Sequence, residues 1–98
     1  MSETLEEYRR QIDTLDIEFI DVLARRIAVV RAVGHLKAQT GLNVVQPARA
    51  QLVKDRAAAM GKEKGLDEEF VRAIYDMMIE HAHVLEHDIL NASREQNK

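Results

Sequence analysis

The sequence predicts an all-α chain of three helices, the first of them so long that it calls for association with a second copy. Three observations carry this. Apolar residues recur at Tyr8, Ile12, Leu15, Phe19, Val22, Val29, Val33 and Leu36, steps of three and four broken only at position 26, which trace one stripe along a continuous helix. One proline, four glycines and two each of Tyr and Phe leave little turn chemistry for a β-fold. Punctuation falls in two places, "TGLNVVQP" (40–47) and "GKEKGLD" (61–67), and two breaks make three helices.

The first helix starts where Ser2 or Thr4 can cap it, with Glu6 and Glu7 in its acidic first turn. Gly41 is a natural closing residue, so the helix is expected over residues 4–39, about 50–55 Å of rise. A compact chain of this size has a radius of gyration of about 13 Å. The helix therefore overhangs its own domain, and its apolar stripe needs a partner; a symmetric dimer is the commonest way to supply one. The alternative is a kink near Gly34 that folds the helix back.

Pro47 suits the first turn of the second helix, where its missing N–H costs nothing. Leu52, Val53, Ala57 and Met60 give that helix an apolar side, and Gly61 or Gly65 ends it. Asp67 caps the third, with Glu68 and Glu69 well placed against its positive end. Phe70, Ile74, Met77, Met78, Leu85 and Ile89 are its core candidates, and it runs to about residue 93. All 98 residues read as one domain, 1–98, with one modest core.

Composition excludes several classes. A net charge of −3 argues against a nucleic-acid binder, while 14 Lys and Arg can still converge on one local site. The absence of cysteine removes disulfide and thiolate chemistry. No apolar run reaches the roughly 20 residues of a membrane span, and the polar, acidic start "MSETLEEYRR" is unlike a secretory signal. A cytoplasmic protein is the expectation.

Two cations interrupt the stripe of the first helix. Arg26 and Lys37 are eleven residues apart, so they differ by only about 20° around the axis and bracket Val30 and Val33. Either their stems snorkel and their heads reach water, or they pair with an anion. Arg9 and Arg49 lie near helix starts, where the dipole opposes a cation. In an antiparallel dimer the start of one long helix nears the far half of the other. Four cations then converge on a mostly apolar cavity, a design for a small dianion. On the third helix Ile79, Ala82, Glu86 and Leu90 share a face. Glu86 is there either solvated, salt-bridged to one of the cations, or buried as a neutral acid that donates a hydrogen bond to a ligand.

The run "EHAHVLEH" offers His83 and His87 at i, i+4, but a third ligand is unplaced and the pattern H-E-x-x-H is absent. No metal is expected. Neither a Ser-His-Asp arrangement nor a glycine-rich phosphate loop stands out, and no cofactor is expected.

The stretches "RRQIDTLDIEFIDVLARRIAVVRAVGHLK", "PAR" at 47–49 and "GLDEEFVRAIYDMMIEHAHVLE" resemble the all-helical chorismate mutase family from about Leu5 to Leu90. The resemblance implies a small three-helix chain in an intertwined homodimer, with active sites built from both subunits. It implies a cofactor-free [3,3] rearrangement of chorismate, a small dicarboxylate, to prephenate. Arg9 matches the arginine that crosses to the other subunit's site, and Arg26 the second carboxylate-binding arginine. Lys37 matches the lysine beside the ether oxygen, Arg49 the basic residue opening the second helix, and Glu86 the group that meets the same oxygen from the other side. On this reading Lys37, Glu86 and Arg26 are catalytic. Arg9, Arg49, Gln46, Ala82, Val33 and Ile79 join Arg26 and Lys37 in holding the substrate.

Some positions depart from the family pattern. Gln46 stands where many members carry an acid, Ala50 where a glutamate holds the ring hydroxyl, Ala82 for a frequent serine and His83 for an apolar residue. "VVQPAR" and "YDMMIEHAHVLEH" also resemble 4-amino-4-deoxychorismate mutases of secondary metabolism, and isochorismate pyruvate lyases share the cationic cage. A non-catalytic helical dimer that binds an aromatic acid is the remaining alternative.

Overall fold

A computed structural model describes residues 4–96 as three helices, α1 (Leu5–Thr40), α2 (Pro47–Glu63) and α3 (Glu68–Gln96). Thr4 opens α1 through a reciprocal box: its hydroxyl accepts from the Glu7 N–H at 3.2 Å, and its own N–H donates to Glu7 Oε2 at 2.9 Å. The other cap candidate, Ser2, lies outside the described residues. Gly41 closes α1 in the left-handed conformation (φ 74°), its N–H on the Lys37 carbonyl. The helix is unbroken through Gly34, so the kink alternative does not occur. Between the two candidates for ending α2, Gly65 with its positive φ makes the turn, whereas Gly61 lies inside the helix.

Helix α3 is central. It packs against both α1 and α2, which make no close backbone approach to each other. Cross-helix neighbours set the directions: Arg26 lies by Tyr75 and Lys37 by Glu86, so α1 and α3 run parallel. Lys54 pairs with Asp76 at 3.0 Å and Lys62 with Glu68 at 3.4 Å, so α2 runs antiparallel to α3. Two glycines set the spacing. A Cβ on Gly34 would stand 3.0 Å from Ile89 Cδ1 and 3.3 Å from the Glu86 Cα, and one on Gly61 only 2.8 Å from Val71 Cγ2. Side chains at either place would push α3 away.

The chain is long and thin, 67 × 25 × 14 Å, with a radius of gyration of 17.8 Å, well above the ~13 Å of a compact globule of this length. Its first helix explains the excess. The part of α1 before Phe19 precedes the start of α3, and Tyr8, Ile12, Leu15, Phe19 and Val22 are all exposed. The buried hydrophobic side chains are few and mostly small: Val44, Ala57, Ala58, Val71 and Ala82. Ala57 is the one expected core residue among them. Leu52, Met60, Phe70 and Met77 are exposed, contrary to expectation, and Met77 borders an open trough between α1 and α3. No helix among the described residues is long and apolar enough to cross a membrane.

Polar contacts lock α2 in register on α3. Arg72 donates to Asp55 Oδ1 at 2.8 Å, and Gln51 donates to the same oxygen at 2.9 Å. These bonds, Arg72's foremost, hold the Asp55 carboxyl below its ordinary value of 3.8, and Asp55 in turn raises Arg72. A depressed carboxyl contributes stability above its unfolded value and loses it as pH falls through the folded one. Acid titration of unfolding should therefore show a steeper loss below pH 3.8 for the native protein than for Asp55→Asn. Gly61→Ala should lower the urea midpoint by an amount equivalent to about 1–2 kcal/mol, because overpacking against Val71 outweighs the gain in helix propensity. Adding Val71→Ala should relieve the clash, so the two changes combine to cost less than their sum.

Candidate active site

Between the second half of α1 and the α2–α3 pair lies a cavity of 170 Å³. Arg26, Val30 and Lys37 reach it from α1, Val44 and Gln46 from the connection, Arg49, Ala50 and Val53 from α2, and Ile79, Ala82, His83 and Glu86 from α3. Three cations thus face one carboxylate across otherwise small or apolar walls. That excess of positive charge suits a ligand bearing two negative charges.

The close approach at Gly34 brings Lys37 and Glu86 together. Lys37 Nζ stands 2.7 Å from Glu86 Oε1, with both side chains largely or wholly removed from solvent. The contact is a buried, charge-assisted ion pair. Lys37 also donates to the Val44 carbonyl at 2.8 Å. Arg26 sits over the Tyr75 ring, 5.8 Å from its centroid, a contact worth roughly 0.5–1 kcal/mol that also orients the guanidinium. Arg49 is exposed at the mouth, and Gln46 donates its side-chain amide to the Asn43 carbonyl at 3.3 Å.

Seven of the nine residues expected in the site therefore meet at one cavity: Arg26, Lys37, Gln46, Arg49, Ile79, Ala82 and Glu86. Of the readings open for Glu86, the structure shows the salt bridge to a cation. Val33 is absent from the lining and sits partly exposed. Val30 and Gly34 lie on the α3 side of the Arg26–Lys37 line, whereas Val33 lies on the other, about 100° from Gly34. Arg9 is also elsewhere. It is exposed, 3.5 Å from Glu6 in the first turns of α1, and seventeen residues, about 25 Å, before Arg26.

Val44, Val53 and His83 line the cavity without having been singled out for it. Val53 stood on the predicted apolar side of α2, and His83 drew notice as a metal-ligand candidate and as a departure from the family pattern. Among the described residues, no group of three or more His, Asp or Glu side chains is arranged to hold a metal ion. Val44 acts through its backbone carbonyl, for which no residue type is a signature. Two of the roomier depressions show the lack of this chemistry. One, of 720 Å³, is a groove along α1 alone, bounded by Glu7, Arg10, Gln11, Thr14 and Leu15. The other, of 460 Å³, is an apolar trough between α1 and α3 around Leu23, Ile27 and Met78.

A long-helix, all-α chain with a cation-lined pocket for a small dianion is the class that fold and site define. Comparison of sequences specifies it further. The profile of the chorismate mutase type II family matches residues 8–87. A 4-amino-4-deoxychorismate mutase of Streptomyces venezuelae is 39% identical over 75 residues, 76% of this chain and 73% of that protein. A chorismate mutase of Methanocaldococcus jannaschii is 31% identical over 98 residues, 100% of this chain and 99% of that one. An isochorismate pyruvate lyase of Pseudomonas aeruginosa is 29% identical over 75 residues, 76% and 73% of the two chains. The chain belongs to the chorismate mutase type II family, and with it to the isomerases.

The buried pair carries a stability signature. Lys37→Met leaves the Glu86 carboxylate without a counter-charge and should cost about 3 kcal/mol in urea unfolding. The double substitution Lys37→Met with Glu86→Leu, which replaces both ions by apolar side chains, should recover most of that loss.

Proposed function

We propose that the protein rearranges chorismate to prephenate in cavities shared between two subunits. The observation that carries this reading is the buried Lys37–Glu86 pair, flanked by Arg26 and Arg49. A [3,3] shift breaks the ether C–O bond as a C–C bond forms, within one molecule and with no covalent intermediate. Catalysis then needs a held conformer and stabilisation of charge gathering on the ether oxygen. Arg26 and Arg49 grip the carboxylates. The Lys37 ammonium donates to the ether oxygen, and Glu86 meets it from the other wall.

Two observations support a shared site. The cavity in one chain, 170 Å³, falls below the ~300 Å³ at the small end of ligand sites. The overhanging start of α1 is exposed along its apolar stripe and carries Arg9. In an antiparallel pair of long helices that overhang covers the other chain, and Arg9 of the partner subunit closes the cavity as its fourth cation.

A second reading, 4-amino-4-deoxychorismate as substrate, is favoured by Ala50 and Ala82 on the ring-facing walls, by the extent of similarity to a mutase named for that compound, and by the "VVQPAR" segment. Incubating the purified protein separately with chorismate, 4-amino-4-deoxychorismate and isochorismate, and identifying each product, decides between the readings. Conversion of none overturns the catalytic role and favours a binding protein.

Arg26→Ala and Lys37→Ala should each lower kcat/KM by about 10²–10³-fold. Arg9→Ala and Lys37→Ala should each be nearly inactive alone, yet regain about a quarter of native activity after unfolding and refolding together. Mixed dimers form half the population, and each holds one intact site.

A further inference from the structure

The proposed chemistry places its heaviest demand on the Lys37 ammonium, a group on a flexible four-carbon stem with three donors. It donates to the Val44 carbonyl, 2.8 Å away, and is paired with the Glu86 carboxylate at 2.7 Å. With those two directions taken, one N–H is left for a ligand oxygen, and the Val44 carbonyl helps to fix where it points.

A carbonyl in a connecting segment can orient a lysine only if the segment is fixed. The connection from Gly41 to Gln46 has no secondary structure to fix it. Its other apolar side chains, Leu42 and Val45, are exposed, whereas Val44 is 4% exposed and lines the cavity wall. Gln46 braces the far end through the Asn43 carbonyl. One inward side chain therefore pins the carbonyl that holds the cation.

We propose that Val44 is a positioning residue for Lys37: its buried side chain fixes the α1–α2 connection so that its carbonyl takes one N–H of the ammonium and, with Glu86 taking another, aims the third at the ligand oxygen. This rests on the reading of Lys37 as the ether-oxygen donor. A displacement of about 1 Å in such a group can cost a hundredfold in rate, so a single aliphatic anchor outside the helices sets the turnover number.

Two measurements test it. In the ¹⁵N-labelled native protein the Lys37 ammonium should give a signal protected from solvent exchange. Val44→Gly should abolish that protection and Val44→Ile keep it, with Val44→Ala as the milder replacement should the glycine variant not fold. In turnover of whichever substrate the native protein accepts, Val44→Gly or Val44→Ala should lower kcat about ten- to a hundredfold. KM should move less than about threefold, since Arg26 and Arg49 are untouched, and Val44→Ile should recover most of the rate. A folded Val44→Gly or Val44→Ala protein with a protected ammonium, or with lowered stability and unchanged kcat, overturns the proposal. Native protein that converts none of the three substrates defeats the functional reading instead, and the ammonium signal by itself then decides whether Val44 holds Lys37.

Discussion

Lys37 and Glu86 meet at 2.7 Å because Gly34, one turn before Lys37, has no side chain to hold α3 away. This close approach is the constraint on which the rest of the site depends. It buries two ionised groups together, which is tolerable only in combination, since either alone would cost several kcal/mol. It draws the Lys37 ammonium to the Val44 carbonyl and so ties the α1–α2 connection to the cavity wall. It also gives Arg26, eleven residues earlier on the same line of α1, a place opposite α3, where the Tyr75 ring receives it. Substrate chemistry and helix spacing thus share one contact.

The same chain leaves much of its apolar surface uncovered. A globular chain of this length normally buries several large side chains, but here the buried hydrophobic residues are alanines and two valines. The stripe from Tyr8 to Val22, with Leu52, Met60, Phe70 and Met77, stays open to water. In the proposed dimer a second copy covers this surface, and the length of α1 lets one copy reach the other. Dimer assembly and a shared site are one proposal on this view, because the helix that must be covered is the helix that carries Arg9.

Family membership narrows the reaction type more than the substrate. The relatives in view are named for chorismate, for its 4-amino analogue and for isochorismate, compounds that share a dicarboxylate and differ at the ring. On the proposed reading, Arg26, Lys37 and Arg49 serve the shared part, and they line one cavity. The walls beside it are Ala50, Val53, Ile79 and Ala82, with His83 as the polar exception. Discrimination among ring substituents therefore falls to few groups, where a hydroxyl or amine left unpaired in a dry site costs about 1–3 kcal/mol.

By itself the sequence determined the three helices, the closing residue Gly41, Pro47 in the first turn of α2, and the anomaly of Arg26 and Lys37 in an apolar stripe. These are local matters: periodicity, capping chemistry and the angle between two residues on one helix are set by spacing along the chain. Most of the cavity followed, because charges in costly positions are visible without coordinates and the resemblance assigned them partners. Only tertiary structure decided which side of the stripe α3 occupies, and so replaced Val33 with Val30 in the lining. It also showed Gly34 as a spacer inside an unbroken helix, Glu86 in contact with Lys37, and a carbonyl of Val44 as the group that holds the cation. Those facts depend on how far apart two helices stand and where a loop's backbone points. Neither distance nor backbone direction is written in residue type.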